Sequence, residues 1–195
     1  MNKELLTKNF ESHGFGVKFF DTKEDAAQYL IDSIKGKTVG SGGSMTLKAM
    51  DIWDRLGKEN TLYNHSVNPG TEIQALSADV FITSANGVAE TGELVNIDGA
   101  GNRVAATLYG HEKVYFVVGR NKITPDLQSA LDRAKNQAAP PNCARLNKKT
   151  PCAVNQDHCY NCNSPDRICC ATVIYERCMH RMEMEVVFID EDLGF

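Results

Sequence analysis

No cysteine occurs before Cys143, so all thiol chemistry in this chain is confined to its C-terminal part. The sequence also has no apolar run near the roughly 18 residues a membrane-spanning helix needs. Its opening stretch, MNKELLTKNFESHGF, offers only two adjacent leucines where a secretory signal would carry an apolar core. Basic residues are not in excess: the formal net charge is -4 and the isoelectric point about 5.7, which argues against a nucleic-acid-binding face. Neither G-x-G-x-x-G nor a Walker loop is present, and there is no internal repeat or low-complexity tract. These absences leave an expected cytoplasmic protein with no membrane span and no nucleic-acid partner. Its length of 195 residues fits one domain, and its 42% hydrophobic and 24% charged composition is that of a globular chain.

What is there alternates between strand and helix patterns. Residues 2–11 place Leu5, Leu6 and Phe10 on one side of a short helix, with Gly14 as a stop. VKFF (residues 17–20) reads as a strand. Thr22 and Asp25 form a capping box before Ala26, Ala27, Leu30, Ile31 and Ile34 at helical spacing. KTVG is a brief strand, followed by a glycine turn and an apolar stripe of Met45, Ala49, Met50, Trp53 and Leu56. DVFITSA (79–85) and KVYFVVG (113–119) are buried strands. ELVNIDGAGNRVAATLYG reads as two strands joined at residues 98–102. Thr124, Pro125 and Asp126 are expected to cap a helix carrying Leu127, Ala130, Leu131, Ala134 and Ala138. TVIYER and MEVVFID close the chain as strands. The pattern predicts an α/β fold with an open, largely parallel sheet covered on both faces and some antiparallel hairpin.

Residues 140–171 are the exception. They show neither period 2 nor period 3.6, have few large apolar residues and exceed an ordinary connection. Six of the seven cysteines lie there. Burial of apolar surface cannot offset the ordering entropy of such a segment, but ligation of a metal can. Cys159-x2-Cys162 lets two sulfurs turn to one centre, and Cys152 and Cys169 stand six residues to either side. Four thiolates on one loop suit an iron–sulfur cluster of the 4Fe-4S type, with zinc as the alternative ligand. Cys143 and Cys170 are candidate fifth ligands or bystanders, and Cys178 reads as a small core residue. His158, beside Cys159, is a solvated loop histidine or a donor to sulfur.

Two loops are candidate ligand sites. In VGSGGSMTL, Gly40, Ser41, Gly42, Gly43 and Ser44 join strand to helix, where free N–H groups can meet a carboxylate or phosphate; the serines equally serve as caps. In SANGVAETGELV, Asn86, Glu90 and Thr91 follow a buried strand, at the end where open α/β sheets place ligands. Glu90 is a candidate base or nucleophile, or else a turn carboxylate satisfied by backbone. Arg120 and Lys122 can bring positive charge to the same rim or sit in solvent. His65 and His111 carry no assignable context.

VGSGGSMTL, DVFITSANGVAETGELVNI and KVYFVVGRNKI together resemble the lactate-utilisation (LUD) domain family, over nearly the whole chain. AETGEL is the most specific element, and the tail resembles that of the short, cysteine-containing members. The resemblance implies a sheet of the type shared by ribose-5-phosphate isomerase, glucosamine-6-phosphate deaminase and CoA transferases. It also implies a part in oxidation of lactate or a related hydroxy acid, with other iron–sulfur subunits as redox partners. The competing expectations are a sugar-phosphate or acyl-transfer enzyme using Glu90 beside a structural zinc loop, and a non-catalytic zinc-stapled subunit.

Overall fold

The computed structural model describes residues 1–195. In chain order the elements are α1 (Lys3–Ser12), β1 (Gly16–Phe20), α2 (Lys23–Ser33), β2 (Thr38–Ser41), α3 (Met45–Met50), α4 (Trp53–Leu56), β3 (Thr61–Asn64) and α5 (Glu72–Ala75). There follow β4 (Val80–Thr83), β5 (Gly87–Ala89), β6 (Leu94–Asp98), α6 (Asn102–Ala106), β7 (Lys113–Gly119) and β8 (Ile123–Thr124). The remainder is α7 (Leu127–Arg133), α8 (Ala139–Arg145), α9 (Pro151–Asn155), β9 (Ala171–Tyr175) and β10 (Glu183–Ile189).

Six strands form an open sheet in the order β1-β10-β7-β4-β2-β3, and every pairing is parallel. The period of two along the strands divides the core. Val114, Phe116 and Val118 of β7, with Met184, Val186 and Phe188 of β10, face α1 and join Leu6 and Phe10. Tyr115 and Val117, with Val187 and Ile189, face α2 to α4 and meet Ala26, Leu30, Leu47 and Leu56. Both faces are covered, which is why these strands read as unbroken apolar runs. A second sheet, β8-β5-β6-β9, contains the antiparallel pairs β5–β6 and β6–β9. Leu94 of β6 points to the main core, whereas Val95 and Ile97 pack on Ala130 and Ala134.

Three expectations change. Residues 103–109 are not a strand: the Asp98 carboxylate accepts from the N–H groups of Ala100 and Gly101, Gly101 takes φ +85°, and the chain turns into α6. The antiparallel partners of β6 are instead β5 and β9. The cap of α7 is Asp126, whose carboxylate accepts from the Ser129 N–H at 2.7 Å. Thr124 belongs to β8, and its hydroxyl donates to the Val88 carbonyl.

The third change is that helix continues past Ala138. A π-turn over Ala134–Ala138 leads into α8, whose first turn holds Pro140 and Pro141. The wider turn accommodates prolines that would break a regular ladder. Residues 140–145 and 151–155 of the segment expected to lack periodic structure are therefore helical.

Candidate functional site

A cavity of about 530 Å³ lies at the C-terminal ends of β4 and β6, closed on the other side by α8 and residues 165–169. Gly43, Ser44, His65, Ser84, Asn86, Asp98, Asn102, Arg103 and Lys122 line its inner part. Ser44 has two roles, since it lines the cavity and its hydroxyl accepts from the Leu47 N–H to cap α3.

Lys122 is the most constrained group in the cavity. It is 4% exposed, and its Nζ donates to Thr46 Oγ1 (2.9 Å), Ser84 Oγ (3.0 Å) and the Ala85 carbonyl (3.2 Å). No carboxylate pairs with it. Burial, reinforced by the nearby Arg133 and Arg103 charges, pulls its pKa down to about 7. The amine can thus be neutral near physiological pH.

Arg103 is held on four sides. Its Nε pairs with Asp98 Oδ2 at 3.2 Å, Nη1 donates to Asn96 Oδ1 at 2.9 Å, and Nη2 reaches Asn86 Oδ1 and the Ile97 carbonyl. Arg133 stands behind the site, donating to the carbonyls of Asn121 (2.8 Å) and Asn86 (2.5 Å) and so tying the turn carrying Lys122 to the start of β5. Burial lowers its pKa to about 10.

The expected site residues divide. Gly43, Ser44, Asn86 and Lys122 line the cavity. Gly40, Ser41 and Gly42 lie behind it. A Cβ at Gly40 would stand 2.5 Å from the Ala75 carbonyl oxygen, so close packing of α5 on β2 explains that glycine; Ser41 bonds to the Ile82 carbonyl, and Gly42 abuts Arg103. Glu90 and Thr91 sit outside the cavity, in the β5–β6 turn beside α1. There the Glu90 carbonyl accepts from Asn9, and the Thr91 hydroxyl donates to Glu93. Arg120 is exposed and paired with Asp190 and Asp192.

Sequence reasoning passed over Asp98, Arg103 and Arg133. The first two lay in plain view in NIDGAGNRV, five positions apart, but their meeting depends on the turn that replaces the expected strand.

A second, smaller void of about 20 Å³ is walled by Cys143, Cys152, Cys159, Cys162 and Cys169. The four expected ligands thus line one void together with Cys143, which arrives on α8. Cys170 is exposed and turned away, and Cys178 packs against the main core. Asn161, at φ +45° between Cys159 and Cys162, turns the chain so that both sulfurs face inward, and its N–H donates to Cys159 Sγ at 3.4 Å.

Arg167 straps the loop: Nη1 donates to the Cys162 carbonyl at 2.6 Å, and Nε to that of Cys169 at 2.9 Å. His158 is exposed and stacks on Tyr160. Burial, with smaller effects of the neighbouring thiols, pushes Cys169 up to about 11; a coordinated cation would reverse that preference. No group of three His, Cys, Asp or Glu side chains is arranged to hold a metal ion, and the five cysteines line a void instead. The two cavities are adjacent, with Ala139, Arg167, Ile168 and Cys169 lining both.

The LUD domain family model matches residues 3–189. The chain belongs to the LUD domain family. That family is associated with lactate utilisation. The LUD fold here is similar to the crystal structure of a DUF162 family protein from Deinococcus radiodurans, with a TM-score of 0.55 at 9% identity, covering 95% of this chain and 94% of that one. At that identity the likeness speaks for the fold alone. No curated protein matches the sequence. In this LUD protein no helix is long and apolar enough to cross a membrane.

Proposed function

We propose that this LUD protein is an iron–sulfur redox protein that takes part in oxidising a small hydroxy acid. The observation that carries the reading is the shared wall: a cation-lined ligand cavity and a five-cysteine void meet at Arg167, Ile168 and Cys169. Four thiols on one loop are the donor set of an iron–sulfur cluster, with zinc the second reading. The void of about 20 Å³ among them means that the loop would have to open to admit a cluster. Zinc at about 2.3 Å from each sulfur draws four thiolates tightly around one point, whereas each cluster thiolate binds its own iron and the sulfurs stand around a larger centre. Cys152, Cys159, Cys162 and Cys169 would hold the cluster, with Cys143 adjoining. When bound, such a cluster supplies one-electron transfer, and other redox subunits complete a two-electron oxidation.

The chain's own residues do the rest. Arg103, fixed by Asp98, Asn96 and Asn86, offers positive charge to a substrate carboxylate without having to reorganise. Lys122 as a neutral amine would take the proton of the substrate hydroxyl by exchanging one of its hydroxyl contacts, to Thr46 or Ser84, for the substrate. Thr46 and Ser84 orient it. Glu90, outside the cavity, has no part in this reading.

Anaerobic purification or reconstitution tests it. About four irons per chain and a broad absorbance near about 400 nm are expected, both lost in Cys159→Ser. One zinc per chain, with iron refused on reconstitution, would overturn the assignment.

A further inference from the structure

A three-carbon hydroxy acid would fill only part of this cavity. A cavity of about 150 Å³ is enough to hold benzene, which has as many non-hydrogen atoms as lactate. The space here is about 530 Å³, within the range that holds much larger ligands. Its charges also fall into two groups. Inside, Lys122 and Arg103 come from the strand ends of the second sheet and from α6. At the mouth, Arg145 and Lys148 come from the end of α8 and the turn after it, and Arg167 from the cysteine loop.

None of the three mouth cations is paired with a carboxylate. Arg145 donates to Asn142 Oδ1 at 2.7 Å, Arg167 donates to carbonyls and to Asn161, and Lys148 makes no side-chain bond. The mouth carries one acid, Asp166, which accepts from the Lys149 N–H at 2.9 Å. Between the two groups lie Asn142, Asn102 and His65, polar side chains suited to hydroxyl groups.

We infer that the ligand is a longer hydroxy acid with a second anionic group at its far end, of the phosphorylated sugar-acid class. Its carboxylate sits at Arg103 with the adjacent hydroxyl at Lys122, and its phosphate is gripped by Arg145, Lys148 and Arg167. Three unpaired cations at the mouth match a phosphate dianion, since each can donate to a separate oxygen. This deepens the hydroxy-acid reading above and rests on it for the inner end of the ligand only.

The test is calorimetric titration of the full chain, metal-free and reconstituted, with 6-phosphogluconate, gluconate and lactate. 6-Phosphogluconate is expected to bind at least about tenfold more tightly than gluconate, with lactate weakest. The double variant Arg145→Gln/Lys148→Gln, at exposed or half-exposed positions that leave folding intact, should remove that advantage. Equal affinity for gluconate and 6-phosphogluconate, or an advantage that survives the double variant, would overturn the inference. Iron content and spectrum are read on the same samples. A protein that takes no iron yet keeps the phosphate preference would reject the redox reading and retain this one.

Discussion

The parallel sheet and the cysteine segment are ordered by different physics. In the sheet, β7 and β10 are buried on both sides, and each face is filled by a cluster of sixteen or seventeen buried residues. The segment that walls the two cavities has a cluster of only three: Cys143, Cys152 and Ala153. Its shape depends on polar straps, namely Arg167 to the Cys162 and Cys169 carbonyls, Asp166 to the Lys149 N–H, and the Cys159 N–H to Asn136. Hydrophobic burial needs nothing from outside the chain. A polar loop with five inward thiols gains its remaining order from whatever binds them. On the proposed reading, the part of the molecule that closes the ligand cavity is the part whose stability would answer to metal.

Phe188→Ala should break the sheet side of this comparison hardest. The ring is fully buried, stacked on Phe19 at 5.3 Å and edge-on to Phe10 at 5.5 Å. A loss of about 3–5 kcal/mol is expected in urea unfolding. Cys162→Ser should do the reverse: midpoint within about 1 kcal/mol of the parent, but lost iron and faster proteolysis within residues 156–170. If both variants lowered the global midpoint equally, the division into two regimes would fail.

The next effect in size concerns Lys122, whose folded pKa of about 7 lies below its ordinary value of 10.5. Between those two pH values the unfolded chain binds the extra proton, so this group makes stability rise with pH, by up to about 1.4 kcal/mol per unit. Below about pH 7 both states are protonated and its contribution is level. Lys122→Met should remove that slope from the difference between the two stability–pH curves, and an unchanged slope would contradict the buried amine. Asp126→Ala, which removes the α7 cap, should cost about 1 kcal/mol in the same assay. Smallest of all, Glu90→Gln should change stability by less than about 0.5 kcal/mol and leave ligand affinity within about twofold.

Much of the sheet was legible because its strands carry the signal locally. DVFIT and KVYFVVG are apolar at every position, as double-sided burial demands, and Thr22 with Asp25 marks the start of α2. The cysteines were legible as a group through their spacing. Cys143 was harder to place, because its membership depends on a π-turn that carries helix past two prolines. The ligand cavity was half legible. Ser44, Asn86 and Lys122 stood near strand ends, but Glu90 and Arg120 did so equally. Only the direction of the β5–β6 turn, toward α1, separates Glu90 from Asn86. The strand expected at residues 103–109 failed because Asp98 and Gly101 turn the chain within four residues, a local bond pattern that outweighs an apolar run.

What the sequence determined alone is the repertoire: strands buried on two faces, capped helices, and four thiols spaced closely enough to line one void. Each of these depends on neighbours within a few positions. The tertiary structure decided which distant groups meet: Arg103 with Asn86 and Asn96, Lys122 with Thr46 and Ser84, and Cys169 on the wall between two cavities. Those meetings depend on strand order and on turn direction. The packing of the whole chain sets both, and no single stretch of residues encodes either.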